Sequence, residues 1–372
     1  MSSGSENVHL LIDGVEWRGW KSCQVLRSIE AMAAAFSFGV ADRWETGAPS
    51  VPFAPGMRCS VIAGSDYLAT GWLDRVQASL SAGDHGTTIS GRDASADLVD
   101  CSAVHSPGSW KNMGLLDLCS ELAAPFCVPV TLEGASGAPF SSFAIQPGES
   151  TAEAMQRLLK QRELLAVPDG KGGIRLAKIG QRIISTVLEQ GRNVLSCSVT
   201  LDACKRFSRY IVSGQQKGTD AVFGKACSVR GEVTDAQVTR YRPLFIQASQ
   251  QGAAGYMRQR AVWEKTTRRA EGLTVSVSVQ GWRDDEGRLW EPGTMVQVHL
   301  PAFNLTQPLL LASVSFSKSA SGTLADLELR DPAAFAQEPE DPTATTDAST
   351  YWSKAVKSAA KSGEKAKEEF LK

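Results

Sequence analysis

Long apolar runs are missing from this 372-residue chain. The longest near its start is Ala31–Phe36, far short of the roughly 20 residues that cross a bilayer as a helix. Met1–Asn7 is polar, and the first ten residues hold no Lys or Arg. Neither the charged nor the apolar region of a secretory signal is present, so the chain is expected to be made and kept in a cytoplasm. No CxxC pair occurs among the eight cysteines, and His9, His85, His105 and His299 each stand alone. Zinc sites need close ligand pairs, so no metal and no cofactor are expected. The cysteines sit among apolar neighbours, as in Leu195-Ser196-Cys197-Ser198-Val199, and read as reduced, buried thiols. A charge excess is also absent, with Lys+Arg at 39 against Asp+Glu at 40. Nucleic-acid binders carry a basic excess or stripe, so no stable nucleic-acid or membrane partner is expected. Near-neutral charge gives weak self-repulsion, which suits a subunit of an assembly.

What is present is a globular composition, 42% hydrophobic and 21% charged, at a length that suits two or three domains, with four small ones possible. Val8–Ile12, Asp13-Gly14 and Val15–Trp17 read as a hairpin closed by a primed turn. Phe36, Phe38 and Val40 alternate, as do Leu68, Thr70 and Trp72, then Val76, Ala78 and Leu80. The period changes at Met113, Leu116, Cys119 and Leu122, which recur at helical spacing. Ser150 and Glu153 form a capping box that starts a helix through Met155, Leu158 and Leu159. Alternation returns at Ile183–Leu188, Cys197–Leu201 and Tyr210–Val212. Val238–Ile246 reads as a strand, Ala253–Glu271 as a basic helix, and Leu273–Val279 as a strand. Residues 336–350 read as a linker and Tyr351–Lys372 as a helix with a thin apolar seam.

Two stretches share an order of parts. Pro55-Gly56 opens one, which runs through Val61, Val76 and Gly86-Thr87 to Arg92-Asp93. Pro292-Gly293 opens the other, which runs through Val298, Val314 and Gly322-Thr323 to Arg330-Asp331. Each has a turn, a strand, a loop and a long strand pair. Two related domains would give this pattern. Chance likeness of two β-meanders is the alternative, because identity is low and Pro-Gly turns are common. The resulting fold class is α+β, mainly β: two related antiparallel β-barrel domains with inserted small α+β domains, assembling as a ring-shaped trimer. The first barrel takes 1–93 and an inserted α+β unit 94–182. The second barrel takes 183–215 and 273–335, with 216–272 inserted in it. A linker and helix take 336–372. Three chains carrying two like domains each would present pseudo-sixfold symmetry.

Catalytic constellations are scarce. Ser315-x-x-Lys318 matches a nucleophile pattern, yet it lies in the Val314/Phe316 alternation without a Lys-Thr-Gly companion. Gly170–Gly173 is too short for a phosphate loop and reads as a hairpin turn. Glu149 and Glu153 could be imagined as a glycosidase pair, but a helix start already explains both. The chain is therefore read as no enzyme. Arg92, Asp93 and Asp97 crowd a domain exit, where they could form an ion-pair junction or a subunit contact. Arg258 and Trp263 lie on the basic helix. Its Arg and Lys residues suit a solvated or salt-bridged face better than a nucleic-acid contact, and its Trp suits packing.

Several of these residues recur in one known family. Ser90–Ala103, Gly14–Lys21 with its Gly19-Trp20, Gln146–Leu165, Arg206–Gln215, Arg240–Leu244, Gly281-Trp282 and Arg330-Asp331-Pro332 occur here in order. Over about 1–335 the chain resembles the central baseplate hub protein of Mu-like contractile-tailed bacteriophages. That family is similar to the T-even phage hub and to the hub part of type VI secretion spikes. The resemblance implies two β-barrels per chain in a homotrimeric ring with no catalytic residues. One side of the ring would continue the hexameric tail tube and the other would seat the trimeric membrane-piercing spike. The implied partners are further copies of the chain, the tail spike protein, the tail tube protein and other baseplate proteins, in the virion. The runner-up function is a tail-associated peptidoglycan hydrolase.

Overall fold

The computed structural model describes residues 6–18, 20–40, 53–80, 85–215, 228–248, 253–336 and 338–339. The expected helix over Tyr351–Lys372, and residues 340–350 of the linker before it, lie outside the described residues. Seven strands come first: β1 (Val8–Ile12), β2 (Val15–Trp17), β3 (Trp20–Ser28), β4 (Ala35–Val40), β5 (Arg58–Ala63), β6 (Asp66–Leu80) and β7 (His85–Asp93). A mixed segment follows: α1 (Ala96–Asp100), β8 (Ser109–Met113), α2 (Leu115–Ala123), β9 (Val130–Leu132), β10 (Phe140–Ala144), α3 (Thr151–Lys160), β11 (Leu165–Pro168) and β12 (Ile174–Ala177). Next are β13 (Ile183–Glu189), β14 (Val194–Leu201), β15 (Arg209–Gln215), β16 (Ser228–Thr234), β17 (Pro243–Gln247) and α4 (Ala254–Glu271). The last strands are β18 (Leu273–Gln280), β19 (Met295–Leu300), β20 (Leu305–Ser319) and β21 (Gly322–Arg330).

Local chemistry sets several of these elements. Asp13 and Gly14 both take positive φ, +48° and +80°. That is the primed turn that brings Ile12 opposite Val15. The capping box forms as the sequence suggests. Ser150 Oγ accepts the Glu153 N–H at 3.2 Å, and Glu153 Oε2 accepts the Ser150 N–H at 2.8 Å. Two readings need correction. Met113 belongs to strand β8, and α2 starts only after Asn112 (φ +50°) and Gly114 break the chain direction. Its buried face is then Leu115, Leu118, Cys119 and Leu122. Residues 238–242 are not strand: Asp235 takes the N–H groups of Gln237 and Val238 into a turn, and pairing begins at Pro243.

Most strands join one 13-stranded sheet, ordered β14-β18-β21-β20-β3-β4-β7-β6-β5-β1-β2, with β19 and β13 branching from β20. Two separate barrels were expected, and among the described strands no barrel closes. The reason lies in β20, which is 15 residues long and serves two neighbours in turn along one edge. The first half of β20 pairs with β19, and its second half with β3 from the other end of the chain. Pairing of β3 with β20 therefore runs the first sheet into the second, and one apolar core serves both. That core holds Val25, Phe36, Phe38 and Ile89 together with Val277, Trp282, Phe316 and Leu327. Burial of so many large side chains is the main stabilising contribution of this unit.

The triplets β5–β6–β7 and β19–β20–β21 match strand for strand. Their lengths are 6, 15 and 9 residues in both. Each long strand breaks register at the same place, between Leu73 and Arg75 in one and between Leu311 and Ser313 in the other. Such a bulge bends a strand and lets its halves belong to different parts of a sheet. A Pro-Gly turn latches onto each bend. The Gly56 N–H donates to the Leu73 carbonyl at 2.7 Å, and the Gly293 N–H to the Leu311 carbonyl at 2.8 Å. The return bonds also match, Leu73 N–H to Met57 O and Leu311 N–H to Thr294 O, both 2.9 Å. Gly56 and Gly293 sit at φ +90° and +91°, where an L side chain is strained.

The mixed segment packs its own core, with Leu98, Leu118, Met155, Leu158 and Leu176 at its centre. It is tied to the large sheet by the β11–β12 turn. Thr70 Oγ1 donates to Gly170 O at 3.0 Å and Arg27 donates to Pro168 O at 2.8 Å. A second compact unit comprises residues 203–269 with the described residues from 335 onward. Here β15, grouped from sequence with the second barrel, pairs instead with β16 and β17 in a three-stranded sheet. Tyr210, Val212, Tyr256, Met257 and Ala261 form its core.

Candidate assembly surfaces

Arg92, next to last in β7, is held by two carboxylates of its own chain. Its Nε donates to Asp74 at 2.8 Å, and its terminal nitrogens grip both oxygens of Asp100 at 3.2 and 2.7 Å. The pair with Asp100, then that with Asp74, raises the guanidinium pKa further above its ordinary value. Arg92 thus bridges the bend of β6 to α1. Asp93 beside it is fully buried. Its Oδ1 accepts the Ala94 N–H at 3.0 Å, and Oδ2 has no hydrogen-bond partner among the described residues. Burial, reinforced by the charge of Asp169, pushes this carboxyl up to about 7. Asp97 lies half-buried in the first turn of α1, and its carbonyl accepts the Cys101 N–H at 3.0 Å. The three residues therefore share one corner, where the large sheet passes into the mixed segment.

Around that corner lies an ionic cluster, buried at Arg27 and open to solvent at Glu133 and Arg182, that the sequence reading did not single out. Arg27 is 6% exposed, and burial lowers its pKa. Arg175 pairs with Glu133 and Glu291, and Arg182 reaches Glu291 at 2.9 Å. No spacing signal announces this cluster, because its members come from four separate segments.

Arg258 and Trp263 lie on α4, far from that corner in sequence and in the second unit. Arg258 is exposed, and Trp263 is half-buried with its Nε1 donating to Ala336 O at 2.9 Å. The Arg260 guanidinium stacks over the Trp263 ring at 4.8 Å. Glu264, nearly buried, accepts from both Arg260 and Arg268. Several basic groups of this helix are thus spent on packing and pairing.

The imagined chemical sites are occupied otherwise. Ser315 Oγ accepts from Gln24 at 2.9 Å, and Lys318 Nζ donates to Glu6 O. Glu149 pairs with Arg157, and Glu153 closes the capping box. Lys171 and Gly173 donate to Asp169 Oδ1, which makes the Gly170 segment a self-bonded hairpin turn. Among the described residues no group of three or more His, Cys, Asp or Glu is placed to hold a metal ion. Of the thiols, Cys23, Cys59 and Cys119 are buried and pushed up to about 12 by burial. Cys101, Cys127 and Cys204 are exposed, contrary to expectation, because they fall in turns and connections at element ends.

Known proteins match along most of this length. Family models match at residues 7–93 (Mu phage baseplate assembly protein GpP-like, N-terminal), 95–178 (baseplate hub protein gp44-like, second domain) and 253–338 (Mu phage baseplate assembly protein GpP, fourth domain). The chain is 32% identical over 320 residues to baseplate hub protein gp44 of Escherichia phage Mu, covering 83% of each. The 43 kDa tail protein of prophage MuSo2 from Shewanella oneidensis superposes with a TM-score of 0.79 at 29% identity, covering 90% of this chain and 100% of that one. The tail protein from Neisseria meningitidis MC58 shares the fold at a TM-score of 0.72 and 24% identity, over 89% and 98% of the two chains. Fold and matches define a structural protein of a bacteriophage tail. Within that class, the chain belongs to the family of Mu-like baseplate hub proteins.

Proposed function

We propose that this chain is the central hub of a contractile-tail baseplate. It forms a homotrimer of pseudo-sixfold symmetry that joins the hexameric tail tube to the trimeric cell-puncturing spike. The observation that carries the reading is the repeated 6–15–9 strand triplet with its matching Pro-Gly latch. Three chains with two like units each supply six like positions toward a sixfold tube and three toward a threefold spike. Its partners are then two further copies, the tail tube, the tail spike and other baseplate proteins. The hub resides in the virion and is assembled in the host cytoplasm. It works as a scaffold, with no catalytic step, cofactor or metal of its own. Residues 1–93 and the pair 183–215 and 273–335 serve as the tube-ring parts. Residues 94–182 and 216–272 are peripheral insertions, and 336–372 is a linker and helix. Arg92, Asp93, Asp97, Arg258 and Trp263 are the proposed inter-domain or inter-subunit contacts.

The test is solution mass by light scattering across a concentration series, alone and with the spike protein. A three-chain mass that persists on dilution is expected. A single-chain mass at micromolar concentration with the spike present would overturn the reading. Zymography on cell walls tests the hydrolase alternative, which predicts clearing by the pure protein.

A further inference from the structure

The outer face of α4 carries a groove of about 510 Å³. Gly255, Gln259, Val262 and Thr266 recur along it at helical spacing, and Trp263 and Thr267 line it beside them. The chain's own continuation enters this groove. Trp263 Nε1 donates to the Ala336 carbonyl at 2.9 Å, Arg260 pairs with Glu338, and Pro339 lines the groove. Val262 is apolar yet 46% exposed. Thr267 is only 6% exposed, and its Oγ1 has no hydrogen-bond partner among the described residues. A buried hydroxyl left so is costly, and a partner is expected for it. Arg258 lines the groove too and forms no ion pair among the described residues, whereas Arg260 and Arg268 share Glu264.

We propose that segment 351–372 of the same chain docks along this groove as a helix. Trp352, Val356, Ala359, Gly363, Ala366 and Phe370, the apolar seam of that segment, then face α4. This is helix-in-groove recognition with both parts in one chain.

Continuity and reach point to this occupant. Ala336 lies at Trp263 and Glu338 at Arg260, so the chain runs along α4 toward Gly255 and is already held there. Residues 340–350 extend over roughly 36 Å at most. The 18-residue α4 is about 27 Å long. The connection therefore reaches any point of the groove, and Trp352–Phe370 as a helix matches its length. Such a tether holds the segment at an effective concentration on the order of millimolar.

Charge and size agree. Glu340 and Asp341 follow Glu338, close to the unpaired Arg258. On a helix, Lys354, Lys357, Lys361 and Lys365 fall opposite the seam, so they turn away from the basic α4. Ala359, Gly363 and Ala366 are small, which lets two helix axes approach closely over Val262. Trp352 and Phe370 supply an aromatic anchor at each end. A seam this thin is marginal as an isolated helix, and a preformed face lowers that cost. Docking also covers an apolar stripe on both helices, so an unassembled copy displays neither.

Limited trypsin digestion of the full chain tests the docking, with cleavage after Lys357 and Lys361 followed by mass spectrometry. Val262→Glu alters an exposed position of α4 and should keep the parent's thermal melt. Trp352→Glu alters only the segment, so its result stands whatever Val262→Glu does to α4. Each variant is expected to speed cleavage about tenfold or more, as loss of a docked anchor does. The double variant should be no faster than either single one, because both break one contact. Equal rates in wild type and variants, or additive acceleration, would overturn the proposal. Co-expressed Val262→Glu and Trp352→Glu chains separate the sources of the groove. Fast cleavage of both chains is expected when each segment uses its own α4. Restored protection of the Val262→Glu chain would place the segment on a second copy and overturn docking within the chain. Protection of the wild type only when the spike protein is added would assign the segment to that partner and overturn it as well.

Discussion

Asp93 closes β7 and Asp331 directly follows β21 at the equivalent place, and only one of them is sealed from water. Asp331 is half-exposed, and its Oδ1 accepts the Ala333 N–H at 2.9 Å. Asp93 is fully buried because the chain turns there into the mixed segment, and one of its oxygens has no partner among the described residues. The carboxyl stands at 3.8 in its ordinary state and at about 7 when folded. Burial and the charge of Asp169 raise it, while the Ala94 and Thr70 amides and Arg27 pull it back only in part. A raised value means that folding favours the neutral acid. Its contribution is therefore full below the unfolded value and is lost as pH rises through about 7. Asp93→Asn keeps the oxygen that accepts from Ala94 and removes the ionisation. Relative to wild type, the variant should gain on the order of 2 kcal/mol between about pH 5 and pH 8. Paired thermal melts at the two pH values check this, and parallel shifts at both would count against it.

At the scale of elements, α3 owes its start to a reciprocal pair of bonds between Ser150 and Glu153. Ser150→Ala leaves the Glu153 N–H without its acceptor, and such caps are worth about 1 kcal/mol. Urea unfolding should report a loss of that size, and Ser150→Asp should recover most of it. An unchanged midpoint for Ser150→Ala would mean that packing of Met155 and Leu158 alone fixes the helix. This element was readable in advance because its signal is local, four residues with their own geometry. The Asp13-Gly14 hairpin and the repeated Pro-Gly triplets were readable for the same reason. What stayed hidden depends on distance along the chain. Pairing of β3 with β20 joins residues such as Gln24 and Ser315, which are 291 apart in sequence. No periodicity encodes that choice, so two barrels were expected where one sheet forms. Alternation alone does not reveal that Arg27 is buried, because Pro168, whose carbonyl accepts its hydrogen bond, lies 141 residues away in sequence. Of the residues singled out as contacts, Arg92, Asp93 and Asp97 lie near one another in sequence, at the end of β7 and the start of α1, while Arg258 and Trp263 belong to a separate helix.

Assembly multiplies small energies in a way that folding does not. Arg92 is 39% exposed, and its partners Asp74 and Asp100 are 40% and 49% exposed. Exposed pairs of this kind contribute roughly 0–1 kcal/mol each to a single fold. Asp74 also sits at the bend of β6, where the register shifts between Leu73 and Arg75. Arg92→Glu would set three carboxylates side by side at that bend. Within one chain they can turn toward water, so the melting temperature of the monomer should move little. In the trimeric ring proposed above the same repulsion would recur at every junction. A penalty of about 1 kcal/mol per junction becomes about 3 kcal/mol over three, which is on the order of 100-fold in the association constant. Arg92→Glu is therefore expected to shift light-scattering dissociation curves strongly while leaving the thermal melt of dilute protein almost unchanged. Raising the salt should restore part of the loss, because the repulsion is screened over about 8–10 Å at moderate ionic strength. Equal weakening of melt and assembly would place the role of Arg92 inside the single chain, as the bridge between β6 and α1.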